Sequence, residues 1–201
     1  LSQHLVDLES ALCADLLDRP ALDLVRFFAA RPEAIACDLH PDYASSRLGE
    51  RLATAWSVPL IRVQHHHAHI AACAAENRVD GAVLGLAWDG AGYGGDGTVW
   101  GGEALVCEGG HFTRIGHSRP FPLPGGERAI REPRSALLGL LWETLGPDAA
   151  MHRVAQLFSS QELASLATLL ARPNLSPRTS SIGRLFDAVS ALVGLGASVS
   201  F

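Results

Sequence analysis

The sequence has no excess of basic charge and no cluster of basic residues. Sixteen Lys and Arg residues against 21 Asp and Glu residues give a formal net charge of -5. Proteins that bind a phosphate backbone or an anionic membrane usually concentrate positive charge on one surface. The composition therefore indicates neither nucleic acid nor a membrane as a partner.

Long apolar runs are also missing, and the first ten residues are not expected to be a signal peptide. No stretch reaches the roughly 20 residues that span a bilayer, and LSQHLVDLES at the N-terminus has no basic region followed by an apolar core. The sequence does not start with Met, so we expect the chain to begin inside a longer protein. With 48% hydrophobic and 18% charged residues, the composition is typical of a globular protein with a core.

Cysteine pairs with metal-ligand spacing are absent. The sequence contains no CxxC pair, which excludes a zinc ribbon or a thioredoxin-type site. We expect free thiols in a reducing cytoplasm. The four cysteines are Cys13, Cys37, Cys73 and Cys107.

Apolar periodicity predicts strands that alternate with helices, which favours an α/β sheet with parallel pairs. Residues 5–31 are predicted as two helices broken at Pro20. Gly109-Gly110 is predicted as the turn of a hairpin. The other predicted elements are strands at 34–40, 59–64 and 81–90, a helix from Pro41 through Trp56, a helix at 65–78, and helices at 127–145, 150–171 and 180–195.

Four histidines crowd into VQHHHAHIAACAAE, residues 63–76. On a helix, His65 and His69 share one face, which is the spacing by which two imidazoles share a metal. A zinc protease needs Glu directly after the first His, and His66 stands there instead. The alternative is a polar helix start that faces water. His66 and His67 are expected to point elsewhere, in supporting or surface positions.

Asp89 closes the next predicted strand. If that strand neighbours the one before the histidines, Asp89 lies beside His65 and His69, because ligands of α/β sheets bind at the carboxyl ends of strands. Two histidines and one carboxylate form a site for Fe(II) or Zn(II). The sequence therefore predicts a divalent metal held by these three residues.

The segment DGAGYGGDG, which starts at Asp89, has two interpretations. Its glycines, among them Gly90, Gly92 and Gly94, let backbone amides approach phosphate oxygens. The alternative is a tight turn between strands. No GK[ST] follows, so it is not a Walker A loop, and its spacing does not fit an EF-hand.

Two further segments carry charged residues beside apolar ones. In SSIGRLFDAVSALVGL, Asp187 is either a ligand contact or an ordinary solvated helix residue. FPLPGGERAIREPR carries arginines in its first helical turns, and it is either a site where the helix N-terminus and arginine bind an anion or a charged helix start, which the pattern alone favours. The residues of the first segment expected to pack inward are Ile182, Leu185, Phe186, Val189, Leu192 and Val193.

Taken together in order, five motifs resemble the hydrogenase-maturation carbamoyltransferase family HypF. They are ACDLHPDYASSR, VQHHHAHIAACAAEN, LAWDGAGYGGDGTVWGGE, PFPLPGGERAIREPR and SSIGRLFDAVSALVGL, and LSQHLVDLES is also similar. The resemblance covers essentially the whole chain, in the Kae1-like domain of that family.

This resemblance implies an ASKHA-type, actin-like α/β fold of two ribonuclease-H-like halves. It implies that residues 1–201 form an incomplete Kae1-like domain, with a helical lead-in over 1–33 and a first half with a helical insertion over 34–201. It also implies metal ligation by His65, His69 and Asp89, and nucleotide contact at Asp187. The family's acylphosphatase, zinc-finger and adenylating domains are absent from the sequence.

The activity implied is that of a carbamoyltransferase or ligase. The family makes carbamoyl-adenylate from carbamoyl phosphate and ATP, then carbamoylates the C-terminal Cys of a partner, HypE. Because the thiol belongs to the partner, the lack of a Cys beside the histidines is expected, and no catalytic residue is assigned. We expect the chain alone to be inactive, because half of the cleft cannot enclose the substrate. The alternatives are an O-carbamoyltransferase acting on a small-molecule hydroxyl and a non-catalytic metal- or nucleotide-binding module.

Overall fold

The computed structural model of the protein describes residues 11–126 and 128–196. These residues form two compact units that divide between His65 and His66. Within the described ranges, no helix is both long enough and apolar enough to cross a membrane. The predicted helix over residues 5–10, the predicted helix start at 127 and the last five residues lie outside the described parts.

The first unit contains a pair of parallel strands. β1 and β2 run in register from Ile35 opposite Leu60 to Asp38 opposite Val63, which confirms the predicted parallel pair. Parallel strands need a crossover, and α2 provides it, lying so close to β1 that a Cβ added at Gly49 would be 3.1 Å from Cys37 Cβ. The elements are α1 (Ala11–Phe27), β1 (Ile35–Asp38), α2 (Ala44–Trp56) and β2 (Leu60–Val63).

The predicted break at Pro20 is wrong. One helix, α1, runs from Ala11 to Phe27 with Pro20 inside it. A proline inside a helix removes one backbone hydrogen bond at a cost of about 3 kcal/mol. The leucine spacing continues on both sides of Pro20, so the loss of one bond does not end the helix.

The second unit joins a curled sheet to a group of helices. The strand order is β3-β4-β7-β6. β7 pairs with the start of β4, and β5 pairs with the C-terminal part of β4. Single 3₁₀ turns lie at Ala155–Leu157 and Pro173–Leu175. The remaining elements are α3 (His65–Glu76, within this unit from His66), β3 (Val83–Tyr93), β4 (Val99–Glu108), β5 (His111–His117), β6 (Phe121–Pro122), α4 (Arg128–Arg131), α5 (Pro133–Leu145), α6 (Pro147–Val154), α7 (Ser160–Leu170), β7 (Arg178–Thr179) and α8 (Ile182–Leu192).

The β4–β5 hairpin turns at Gly109 and Gly110 as predicted, with Gly109 at φ 57°. The strand predicted at 81–90 instead continues to Tyr93 and pairs antiparallel with β4. Most of the predicted glycine loop is therefore strand, and the turn occupies residues 94–98. Glycines do not stop this strand because it is continued by cross-strand pairing.

The helices that follow begin where prolines permit. Pro133 and Pro147 each stand in the first turn of a helix, where a missing N–H costs nothing. Pro133 divides the helix predicted at 127–145 into α4 and α5, and Pro147 begins α6. The single helix predicted at 150–171 is wrong, because a 3₁₀ turn at Ala155–Leu157 separates α6 from α7. Ser159 and Glu162 form a capping box that starts α7. The main core contains Leu138, Val154, Leu166 and Ala188 from the helices and Phe121 from β6, among other residues.

The inward packing predicted for α8 is wrong for most of the stripe. Phe186 is 63% exposed and Leu192 is 55% exposed, whereas Ala188 is fully buried and Ala191 nearly so. α8 packs closely on α5 through small residues. A helix that is apolar on two sides does not reveal from its pattern which side a neighbour covers.

Glu103, on β4 and only 2% exposed, is the centre of a buried ion-pair network. Arg114 on β5 donates from Nε to Glu103 Oε2 at 2.7 Å and from Nη1 to Asp96 Oδ2 at 2.9 Å. The Gly101 amide donates to Glu103 Oε1 at 3.1 Å, and the Ser180 hydroxyl donates to the same oxygen. The network therefore fixes the β3–β4 turn, β5 and the segment before α8 relative to one another.

We expect Gly139→Ala to lower the melting temperature by about 4–8 °C. The new Cβ would collide with the backbone oxygen of Pro122, and overpacking of this kind typically costs about 1–3 kcal/mol. That loss outweighs the gain of up to about 1 kcal/mol from replacing glycine in a helix. The control is Gly110→Ala, because nothing lies within 4 Å of a Cβ there. Equal melting temperatures for the two variants would contradict the proposed contact.

We expect Glu103→Gln to reduce the free energy of unfolding at neutral pH by roughly 2–4 kcal/mol, since it removes one of the two carboxylates that pair with the largely buried guanidinium of Arg114. Burial raises the pKa of Glu103, but hydrogen bonds from Arg114, Ser180 and Gly101 outweigh this effect and lower the pKa below its ordinary 4.5. A carboxyl with a lowered pKa stabilises the fold above its unfolded pKa, and this stabilisation is lost as pH falls through the folded pKa.

The stability deficit of Glu103→Gln should therefore shrink as the pH falls below about 4.5. Urea unfolding near neutral pH and in acid measures this, with Glu108→Gln at the exposed end of β4 as control. A deficit that stays constant with pH would contradict the ion-pair account.

Candidate metal centre

One residue, Gln64, separates the end of β2 from the start of α3, which carries all four histidines in its first five positions. Helical rotation gives them different environments. His66 is fully buried and His67 is 6% exposed, whereas the side chains of His65 and His69 are 30% and 60% exposed. His65 and His69 stand one turn apart on the same helix, as predicted.

The packing of α3 on β3 depends on Gly85. A Cβ added there would collide with the side chain of Ile70, so only glycine lets α3 approach this closely. Asp89 lies four residues farther along β3, and His69 precedes Ile70 on α3. This packing brings His69 and Asp89 together.

The predicted route to this arrangement was different. It required the strand ending at Asp89 to neighbour the strand before His65. Among the described residues, β2 pairs with β1 and β3 pairs with β4. That condition is not met by the strand pairing of the described residues, because the chain enters a second, mixed sheet after α3.

His69 Nε2 lies 3.7 Å from Asp89 Oδ2, which is too long for a hydrogen bond. Two ligand atoms that each lie about 2.1 Å from a tetrahedral metal ion are separated by about 3.4 Å. The spacing therefore fits two ligands of one metal better than a direct hydrogen bond.

A local irregularity of β3 sets the direction of Asp89. The β3–β4 register shifts between Trp88 and Gly92, and such bulges turn side chains away from the regular alternation. The other carboxylate oxygen, Oδ1, accepts a hydrogen bond from the Gly90 amide at 2.6 Å. Asp89 is thus fixed through one oxygen while the other faces His69.

His66 and His67 are not on the surface, which was one of the two predicted alternatives. His66 Nε2 lies 3.8 Å from Asp89 Oδ2, and its ring centroid is 6.1 Å from that of Trp100. The ring of His67 lies 5.1 Å from that of Phe112. His66 is therefore buried beside the Asp89 carboxylate, and His67 packs against an aromatic ring.

His65 has a carboxylate partner that the sequence analysis missed. His65 Nδ1 lies 3.0 Å from Asp38 Oδ2. The signal was present, because Asp38 ends one parallel strand and His65 follows the end of the next. The carboxyl ends of parallel strands share one edge of the sheet.

The glycines predicted to approach phosphate lie in two kinds of structure. Gly90 and Gly92 belong to β3, and Gly94 begins the turn. Residues 89–91 fall within the register shift of the ladder. The turn interpretation holds for residues 94–98, and phosphate binding stays a prediction.

The first turn of α8 lies against Gly90. The Ser181 hydroxyl donates to the Gly90 carbonyl, and a Cβ added at Gly183 would be 2.7 Å from Gly90 Cα. One turn later, Arg184 Nη2 lies 2.9 Å from Asp187 Oδ2. The start of α8, the bulged part of β3 and this ion pair therefore form one group.

Asp187 is not the solvated helix residue of the alternative interpretation. Its side chain is 25% exposed, and burial raises its pKa despite the opposing charge of Arg184. The Nε and Nη1 atoms of Arg184 are buried and have no hydrogen-bond acceptor among the described residues. Two N–H donor groups of Arg184 therefore make no hydrogen bond to the described residues.

Arg134 lies in the first turn of α5, in the segment predicted as a helix start. It donates to the Leu157 carbonyl at 2.6 Å and to Glu162 at 3.1 Å. Its guanidinium carbon lies 4.6 Å from the centroid of the Phe158 ring. These contacts attach α5 to the start of α7.

A cavity of about 550 Å³ lies between α3 and β3, next to His69 and Asp89. Cys73, Leu86 and Trp88 are among its other lining residues. Leu86 and Trp88 are 67% and 72% exposed, so the cavity is a groove with an apolar wall. The candidate centre stands at the end of this groove.

Comparison with known proteins places the chain in a family. Residues 1–76 match a family model described as the HypF Kae1-like domain. Residues 85–201 match one described as the second subdomain of the carbamoyltransferase Kae1-like domain.

Individual relatives agree with the family models. The chain is 41% identical to Carbamoyltransferase HypF2 of Cupriavidus necator and 40% identical to Carbamoyltransferase HypF of Synechocystis, in each case over all of this chain. It covers 24% and 28% of those proteins.

A solved structure agrees as well. The crystal structure of full-length HypF in its phosphate- and nucleotide-bound form superposes with a TM-score of 0.90 at 38% identity, over all of this chain and 26% of that one. These likenesses confirm the predicted Kae1-like α/β fold. The division into a lead-in and a first half stays a prediction. The chain belongs to the HypF carbamoyltransferase family and spans about a quarter of the length of these relatives.

Proposed function

We propose that this chain belongs to a carbamoyltransferase of NiFe-hydrogenase maturation. The reaction uses carbamoyl phosphate and ATP, proceeds through carbamoyl-adenylate, and carbamoylates the C-terminal Cys of a HypE-type acceptor. Membership of the HypF family supports this proposal, because the curated relatives are named carbamoyltransferases. The single structural observation that carries it is the spacing of His69 and Asp89.

The proposed metal ligands are His65, His69 and Asp89, and the metal is Fe(II) or Zn(II). The fit rests on three features of this chain. His69 Nε2 and Asp89 Oδ2 have the separation of two ligands, α3 places His65 one turn before His69, and imidazole with carboxylate suits these ions. When bound, the metal supplies positive charge for a phosphate group.

The proposed nucleotide site lies beside Gly90. Its supporting features are the backbone of Gly90, Gly92 and Gly94, together with the Arg184–Asp187 pair. Arg184 brings two buried donors that have no acceptor among the described residues, and an arginine with free donors suits an anion. The role proposed for Arg184 is to bind a phosphate oxygen. Asp187 holds the guanidinium in place.

The proposed binding site for the acceptor protein is the groove between α3 and β3. Its apolar wall at Leu86 and Trp88 leads to the candidate centre. No thiol nucleophile is required of this chain, since the acceptor supplies it. The proposed task of these residues is to bind, orient and exclude water.

Elemental analysis of anaerobically purified chain is expected to find near-stoichiometric iron or zinc. His69→Ala and Asp89→Ala should each remove most of it, because each deletes a proposed ligand, and His65→Ala should do the same. His111→Ala is the matched control, since His111 is an exposed histidine on β5. Metal retained by the three ligand variants, or lost equally from the control, would contradict the assignment.

Arg184→Gln is expected to weaken AMP binding about tenfold or more, because a hydrogen bond to a charged group contributes about 1.5–3 kcal/mol. Isothermal titration calorimetry on the metal-loaded chain measures this. Arg153→Gln, on an exposed position of α6, serves as the charge-matched control. Unchanged AMP affinity in a folded Arg184→Gln chain would refute the phosphate role.

Transfer itself is tested by supplying carbamoyl-adenylate and a HypE-type acceptor to the metal-loaded chain and to a full-length HypF relative. In the full-length protein we expect AMP release and a gain of one carbamoyl group on the acceptor Cys. In this chain alone we expect neither. A full-length protein that carbamoylates a small-molecule hydroxyl instead would favour the O-carbamoyltransferase alternative.

A further inference from the structure

We propose that Asp38 is a positioning residue that fixes the tautomer and the direction of His65 for metal binding. This inference rests on the proposed metal site and adds to it a residue outside the ligand set. It follows from the hydrogen bonds at the end of β1, all within the first compact unit.

Both carboxylate oxygens of Asp38 are used. Oδ1 accepts a hydrogen bond from the His40 amide at 2.8 Å, and Oδ2 lies 3.0 Å from His65 Nδ1. The Asp38 side chain is 15% exposed. A carboxylate held through one oxygen by the backbone presents the other in a defined direction.

The surrounding strands hold Asp38 in register with His65. Asp38 stands opposite Val63 in the parallel pair. Val63 precedes His65 by two residues. The Ser46 hydroxyl of α2 donates to the Asp38 carbonyl at 3.1 Å. The backbone on both sides of the Asp38–His65 contact is therefore part of regular structure.

The chemistry of the pair determines which ring nitrogen can bind a metal. An ionised carboxylate only accepts hydrogen bonds, so His65 Nδ1 must carry the proton. In neutral imidazole the lone pair then lies on Nε2. Carboxylates that orient metal-binding histidines in this way typically contribute 10–100-fold to metal affinity.

Asp38→Asn tests this directly. In this variant the oxygen of the new side-chain amide keeps the hydrogen bond from the His40 amide, which leaves the NH₂ group facing His65. That group donates to Nδ1 and moves the imidazole proton to Nε2, where it blocks metal binding. We expect metal affinity, measured by chelator competition with Zn²⁺, to fall about 10–100-fold.

Asp42→Asn is the matched control, because it removes the same charge from an exposed position four residues away. Its Zn²⁺ affinity should equal that of the unaltered chain. Melting temperatures of both variants establish that they are folded.

A second readout does not require metal. Nitrogen-15 NMR of the metal-free chain near pH 8, with His65 assigned by its absence from His65→Ala, reports which ring nitrogen is protonated. We expect Nδ1–H in the unaltered and Asp42→Asn chains and Nε2–H in Asp38→Asn.

The two readouts separate failure of this inference from failure of the metal site. If the unaltered chain binds no Zn²⁺ but its tautomer changes as expected, the metal assignment fails and the orienting role of Asp38 stands. If the tautomer is the same in the unaltered and Asp38→Asn chains, or Zn²⁺ affinity is unchanged in Asp38→Asn, the inference is overturned.

Discussion

The contact between Ile70 and the backbone of Gly85 is the constraint on which the candidate centre depends. Because glycine leaves no side chain at this point of β3, α3 lies directly against the strand. Ile70 is part of a small core with Ala87 and Leu105. Hydrophobic burial therefore sets the distance between α3 and β3. These two elements carry the proposed ligands His69 and Asp89.

Two groups of ionisable residues in the second unit differ in the spacing of their polar atoms. Glu103 accepts hydrogen bonds at both oxygens from groups of the chain itself, and it needs nothing further. His69 and Asp89 face each other at a distance that leaves room for an ion. The first arrangement stabilises the turn and strands around the site, and the second is suited to binding.

Local sequence patterns were sufficient to predict the proposed metal ligands. They were insufficient to predict the residues that position those ligands or stabilise the surrounding strands. The spacing of His65 and His69 follows from helical geometry alone, and the hairpin at Gly109 follows from turn chemistry. Asp38 and Glu103 act through partners 27 and 11 residues away, and no local pattern pairs them. The sheet that receives Asp89 was predicted as a continuation of the parallel pair, because an apolar strand does not show which neighbour it takes.

The helices show a similar limit. Pro20 lies within α1, whereas Pro133 and Pro147 begin helices, although all three are prolines beside leucine-rich segments. The outcome depends on whether the apolar period continues through the proline. For α8, the apolar stripe was visible in sequence, but only packing against α5 shows that Ala188 and Ala191 form its buried side.

The most direct test of the metal centre is anomalous diffraction at the iron and zinc edges, from crystals of the chain purified without chelator. The proposed site predicts one peak about 2.0–2.2 Å from both His69 Nε2 and Asp89 Oδ2, with His65 Nε2 as a further ligand. A metal peak at other residues, or none at His69 and Asp89 in crystals grown with added metal, would contradict it.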